Sequence, residues 1–370
     1  MAEKMHILHV VGGMDIGGIE SMLMTLMPYM KKRDITFDFA VHGEKIGMHE
    51  QQILEMGGDV FHLPKFKGWN IISYVMAWCK LLENHPDIKV VQGHMTSTAS
   101  IYLSVAKYFG KIVISHSHST GIRGNKAMYF CKRFLEYPLR YISDYLCACS
   151  IGAAEFRFGR DAEKRKNFYR WINAVKPELY QYSVTKRKKY RQLLNIDDDA
   201  VLIGHVGRMT QAKNHKFILK IFKEYHRQNV NSKLLLIGDG PLREELELMA
   251  KDLRIDEKII FLGAIGNTSD YLSAMDVFLF PSLFEGLPVA LIEAQINNID
   301  CLVSDVVTNE VEISNVIRYV SLKKDATYWS GKIRKEPRKE NDCKKIENNP
   351  YDINRVAIDI EKFYKMITSR

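Results

Sequence analysis

Paired cysteines are missing from this sequence: its six (Cys79, Cys131, Cys147, Cys149, Cys301, Cys343) contain no C-x-x-C. With no signal-peptide pattern beside them they describe no disulfide framework, and they read as reduced core residues, mostly within apolar runs. Long hydrophobic runs are missing too. The first, "ILHVV", ends in glycines too soon for a signal-peptide core, and none approaches the roughly 18 residues of a membrane span. The expectation is a cytoplasmic protein. No nucleic-acid motif occurs, so the formal charge of +9 points to a phosphorylated ligand or an anionic membrane surface. Neither familiar phosphate loop is complete. In "VVGGMDIGGIESML" (10–23), G-x-G-x-x-G fails at Met14 in one frame and at Asp15 in the other. G-x-x-x-x-G-K-[ST] fits Gly13 to Gly18, then meets Ile19 and Glu20.

What is present is alternation. Short apolar runs and amphipathic stretches succeed one another along 370 residues, the pattern of parallel sheets with helices on both faces. Seven strand candidates come first ("HILHVV", "TFDFAV", "DVFHL", "KVVQGH", "KIVISH", "YLCAC", "FYRWI"). Six follow ("VLIGHVG", "KLLLIG", "KIIFLG", "DVFLF", "CLVSD", "IRYVSL"). Between them a polar stretch near 176–186 marks a boundary. The reading is an α/β chain of two doubly wound domains, 1–178 and 179–345, with a capped C-terminal helix in 346–370 packing back on the first. Ligands of such sheets bind beyond the carboxyl ends of the strands, so two facing domains would form a cleft lined by strand-to-helix loops.

The candidate chemistry follows apolar runs directly. In "DVFLFPSLFEGLPVALIEAQ" (276–295), Glu285 falls in a loop and Glu293 inside the helix that Pro288 introduces, so the two acids stand at different depths. Backbone N–H groups around Gly286, Leu287 and Val289 are free at that helix start, where the dipole favours phosphate; the alternative is a capping acid and a structural glutamate. "HVGRMTQAKNH" supplies Arg208 and Lys213, a fork and a point charge suited to a diphosphate. Gly238 and Gly240 in "IGDGPLREEL" read as turn residues. "VISHSHST" places His116 and His118 on one strand face, but as a metal pair they lack a signalled third ligand. The D-x-D of Asp197 and Asp199 precedes a strand and reads as a polar turn. A basic tract, 331–345, reads as a solvated linker.

Taken in order, Gly17-Gly18-x-Glu20, Arg208 with Lys213, Gly238 to Pro241, Phe261 to Gly263, and Glu285-x7-Glu293 resemble the retaining glycosyltransferases of family 4, over about residues 5–322. The resemblance implies the GT-B fold of two facing Rossmann-like domains, the first binding acceptor and the second a nucleoside-diphosphate sugar. It implies that Gly17 and Gly18 close over the donor by their backbone. Arg208 and Lys213 would hold the diphosphate, Glu285 the transferred sugar and Glu293 the ribose. Phe284, Gly286 and Leu287 would add backbone contacts, and Ile265 a contact to the base. His118 aligns with a histidine near the anomeric carbon, with His116 second; His94 reads as structural or acceptor-side. Neither cofactor nor catalytic metal is implied.

This chain departs from that pattern at Asn173 to Lys176, where an acidic hinge residue is usual. It departs again at Asn298 to Asp300, where Gly-x-Pro is usual. Residues 121–170 hold 11 Lys/Arg against 5 Asp/Glu among aromatics such as Tyr129, Phe130, Phe134, Tyr137 and Phe158, with Trp171 just beyond them. That mixture suits either a membrane interface or an ordinary helix face with core aromatics. A lipid-linked glycan acceptor at the inner membrane face would use the first of these, with UDP favoured as donor base. A sugar-nucleotide epimerase and a non-catalytic sugar-nucleotide-binding peripheral membrane protein are the rival classes.

Overall fold

The apolar runs are continuous, as strands buried on both faces require. The computed structural model describes residues 4–15, 17–95, 98–121, 126–340, 346 and 349–369. The chain forms two compact units, Met1–Val175 with Pro350–Arg370, and Lys176–Asn349.

All thirteen runs become strands. The first unit holds β1 (Met5–Val11), β2 (Ile35–His42), β3 (Val60–Leu63), β4 (Ile88–Gly93), β5 (Ile112–Ser117), β6 (Tyr145–Ala148) and β7 (Phe168–Arg170), parallel in the order β3-β2-β1-β4-β5-β6-β7. The second holds β8 (Val201–Val206), β9 (Ser232–Ile237), β10 (Ile259–Gly263), β11 (Val277–Phe280), β12 (Asp300–Ser304) and β13 (Ile317–Val320), parallel in the order β10-β9-β8-β11-β12-β13. Each order reverses once, between β1 and β4 and between β8 and β11. At such a switch point the loops diverge to opposite faces and leave a crevice for ligand.

One face of the first sheet is covered by the helix Gly18–Lys31, through Leu23, Leu26, Met27 and Met30, and by the last helix, Ile353–Thr368. Asp352 caps the latter, its carboxylate accepting from the Asn354 N–H at 2.8 Å. Its apolar positions, spaced three and four apart, bury Val356, Ile360, Phe363 and Tyr364. Phe363 stacks on Tyr169 at 4.0 Å, and the Tyr364 hydroxyl donates to Gln92 Oε1 at 2.7 Å. The second unit packs Ile218, Phe222, Leu234, Leu279 and Trp329 into its own core.

One sequence reading changes. The described part of the basic tract is no free linker. Lys335 Nζ donates to the carbonyl of Asp199 at 3.0 Å, while Arg338 donates to Asn297 Oδ1 at 2.6 Å and lies over the Tyr182 ring at 4.4 Å. These cations satisfy carbonyls and an amide at turn and helix ends, a role with no periodicity for a sequence to reveal. Residues 341–345 lie outside the described residues. At Asn298, where glycine is usual, φ is +57°: asparagine adopts the left-handed conformation that ends the preceding helix.

Candidate active site

The strongest constellation lies at the β8/β11 switch point. Pairing of β8 with β11 (Val277↔Ile203, Phe278↔Gly204) sets their following loops side by side. The β8 loop carries Arg208 and Lys213; the β11 loop carries Phe284, Glu285, Gly286 and Leu287 and enters the helix Val289–Ile296. The Leu283 N–H donates to the Ala212 carbonyl at 2.8 Å. Lys213 Nζ donates to Glu285 Oε1 at 2.7 Å and lies over the Phe280 ring at 4.9 Å. Arg208 is exposed and has no hydrogen-bond or ion-pair partner among the described residues. Two buried hydroxyls, Thr210 Oγ1 in one loop and Ser282 Oγ in the other, also lack partners among them, an uncommon state for buried polar groups.

The G-D-G turn is what holds the Arg208 loop. Gly238 has φ +133°, and a Cβ there would stand 2.2 Å from the Gly207 carbonyl oxygen; at Gly240 it would stand 2.5 Å from that of Met209. The Met209 N–H donates to the Asp239 carbonyl at 2.9 Å, so backbone lies directly on backbone. The turn reading of these glycines therefore holds.

Glu293 occupies the fifth position of its helix and is partly buried. Burial raises its carboxyl to about 7, although the Tyr180 hydroxyl donates to it and opposes the rise. Ile265 lies two residues past β10, partly buried. Sequence reasoning missed Tyr180, which sits in the polar boundary stretch far from Glu293 in the chain. It also missed His205, concealed inside an apolar strand. The His205 Nδ1–H donates to the Leu279 carbonyl at 2.8 Å, and its Nε2 would be 2.9 Å from a Cβ at Gly207, so it supports the floor of the Arg208 loop.

In the first unit the glycine loop follows β1. Met14, where the dinucleotide pattern fails, is a fully buried core residue. Gly17 is the N-cap of the helix Gly18–Lys31, and the Glu20 carboxylate folds back over it, with Oε2 2.2 Å from where a Cβ would be. Among the described residues, nothing lies within 4 Å of a Cβ placed on Gly18.

Pairing of β4 with β5 (Gly93↔Ser115) gathers the histidines. His94 Nδ1 and His118 Nε2 share a hydrogen bond of 2.7 Å, the His116 and His118 rings stack at 4.0 Å, and His9 Nδ1 lies 2.9 Å from His94 Nε2. Gln92 Nε2 donates to His116 Nδ1 at 2.9 Å. Burial lowers all four imidazoles, His9 and His118 to about 3, so they are neutral at pH 7. His94 thus stands as the third imidazole beside His116 and His118, brought there by strand pairing across 22 residues of chain.

Residues 186–352 match the family model of glycosyl transferases group 1. EpsF of Bacillus subtilis (strain 168), a glycosyltransferase by name, is 29% identical over 90% of this chain and 88% of its own. An Escherichia coli enzyme named UDP-Gal:alpha-D-GlcNAc-diphosphoundecaprenol alpha-1,3-galactosyltransferase is 28% identical over 38% of this chain and 34% of its own. Among solved structures, Anabaena Alr3699/HepE in complex with UDP and glucose superposes with a TM-score of 0.76 at 14% identity, over 98% of this chain and 99% of that one. The two parallel-sheet Rossmann-like units are those of the GT-B fold, and the family match and relatives support a group 1 glycosyltransferase.

Proposed function

We propose that this protein is a retaining, metal-independent glycosyltransferase. It moves a sugar from a nucleoside-diphosphate donor, UDP favoured, to a hydroxyl of a lipid-linked glycan in surface polysaccharide synthesis. The observation that carries the proposal is the β8/β11 constellation: a cation paired with an acid at 2.7 Å, an arginine in the same loop with no partner among the described residues, and a helix N-terminus entered from the other loop. Breaking the anomeric C–O bond leaves an electron pair on the diphosphate. Fixed cations and helix N–H groups stabilise that charge as it develops, with no reorganisation at the moment of reaction. Lys213, held by Glu285 in the free protein, turns to the phosphate when donor binds, which frees Glu285 to accept from sugar hydroxyls; Glu293 accepts from the ribose. His118 is assigned a catalytic place beside the anomeric carbon and the acceptor, with His94 and His116 on the acceptor side. The acceptor hydroxyl attacks from the face the diphosphate leaves and passes its proton to the departing phosphate oxygen, so the anomeric configuration is kept.

The lipid-linked acceptor is supported by the E. coli relative and by the first unit's surface, where Phe130, Phe134, Tyr137 and Tyr141 are exposed among arginines. The aromatics of 121–171 divide, since Phe158 and Trp171 are core. The protein then works at the inner membrane face.

Thermal stabilisation by UDP, GDP, ADP and their sugar conjugates, with EDTA present, tests the donor site. One nucleoside diphosphate should stabilise the native protein and fail with Arg208→Ala, which should also raise the transfer barrier by about 2.7–4 kcal/mol. The anomeric configuration of the product, read by proton NMR, tests retention. Stabilisation by no nucleotide, with or without metal, would overturn the proposal.

A further inference from the structure

We propose that His94, His116 and His118 form a binding site for a late first-row divalent cation of the zinc class, separate from any requirement of the transfer reaction. Each offers a ring nitrogen, and the three nitrogens lie within 4.8 Å of one another. Two of the rings already touch, His94 Nδ1 to His118 Nε2 at 2.7 Å. Ligands on tetrahedral bonds of about 2.0–2.1 Å stand roughly 3.3 Å apart, so small ring rotations convert the cluster into a coordination set.

A second observation points the same way. His116 is wholly buried, its Nδ1 is engaged by Gln92, and its Nε2 has no partner among the described residues. Hydrogen bonding within the cluster satisfies His94 through both nitrogens and His118 through one, yet leaves this atom unused. With the Gln92 amide turned, the ring proton moves to Nδ1 and Nε2 presents a lone pair for a metal ion.

The donor set selects the metal. Three imidazoles without a carboxylate suit zinc, cobalt, nickel or copper and give magnesium or calcium nothing to hold. Ligation through His116 Nε2 requires the proton on Nδ1, so the Gln92 amide turns its oxygen to accept from that N–H and its nitrogen to donate to the Tyr364 hydroxyl, while His9 holds His94. His118 is only partly buried, which provides an entry path and leaves a fourth position for water. The Arg157 charge reaches His118 and opposes a dication, but Arg157 is ion-paired with Glu136. The sequence showed two histidines and no third ligand; strand pairing supplies it. Occupancy draws off His118 Nε2, so on the reading proposed above the metal inhibits transfer.

The test uses the full chain, stripped with EDTA and free of any histidine tag, titrated with Co²⁺. One Co²⁺ per chain should bind with the intense visible bands of a four-coordinate site, and Zn²⁺ should displace it. His118→Asn should abolish the bands, and Gln92→Leu should weaken binding on the order of 10–100-fold, each with unchanged far-UV dichroism. A folded protein without such bands, or His118→Asn with its bands intact, overturns the inference. Nucleotide stabilisation on the same preparation separates the two proposals: donor binding without a cobalt spectrum sinks the metal site alone, and the converse result keeps the site and counts against the transferase.

Discussion

Glu293 combines an unfavourable position with a proposed use. Its carboxyl is raised to about 7, whereas the unfolded chain titrates near 4.5. Between those values the folded protein holds a proton that the unfolded chain has released, so stability falls as pH rises through the window. Glu293→Gln removes the fall. The variant should match the parent at pH 4 and exceed it by about 3 kcal/mol at pH 8 in urea unfolding, while losing nucleotide stabilisation. Equal stability at pH 8 would mean that burial does not penalise this acid. Gly18 makes the complementary case. Among the described residues no atom fills the space of a Cβ there, so Gly18→Ala should hold or raise stability by about 0.4–1 kcal/mol. If the glycine loop touches donor by its backbone, the same variant weakens nucleotide stabilisation, and an unchanged shift would remove Gly18 from the site. Both residues were named as candidates from sequence, one from its spacing to Glu285 and the other from its glycine run. Tyr180 was not, because what makes it a partner of Glu293 is proximity across the fold.

Among elements, the strands were the most legible, since a strand buried on both faces announces itself as an apolar run whatever its neighbours. Their order was not written in those runs. The helix Lys126–Glu136 shows what exposure adds to composition: Phe130 and Phe134, one turn apart, are 69% and 80% exposed. Arg133 in the same helix donates to the Phe156 carbonyl at 2.5 Å. If this face meets an anionic bilayer, Phe130→Ser with Phe134→Ser should reduce sedimentation with phosphatidylglycerol vesicles several-fold, and salt should weaken the parent's binding. Undiminished binding by the double variant would assign the membrane surface elsewhere. Neither change touches a buried group, so thermal stability should hold.

For the whole molecule, the first unit is closed by the chain's last helix. Its buried side chains, among them Ile353, Val356, Ile360, Phe363, Tyr364 and Ile367, contribute on the order of 10 kcal/mol of apolar burial before entropy is counted. Removing residues 350–370 should therefore lower the urea midpoint of the first unit and leave that of Lys176–Asn349 in place, splitting the unfolding curve. A single unshifted transition would show that the helix is dispensable. The sequence by itself determined the strands, the doubly wound class and the motif loops, because each depends on residues near one another in the chain. Only the tertiary structure decided which loops share a switch point, that Lys213 pairs with Glu285, that Tyr180 attends Glu293 and that three histidines meet. Those contacts depend on strand order and register, and register joins residues that no local pattern links.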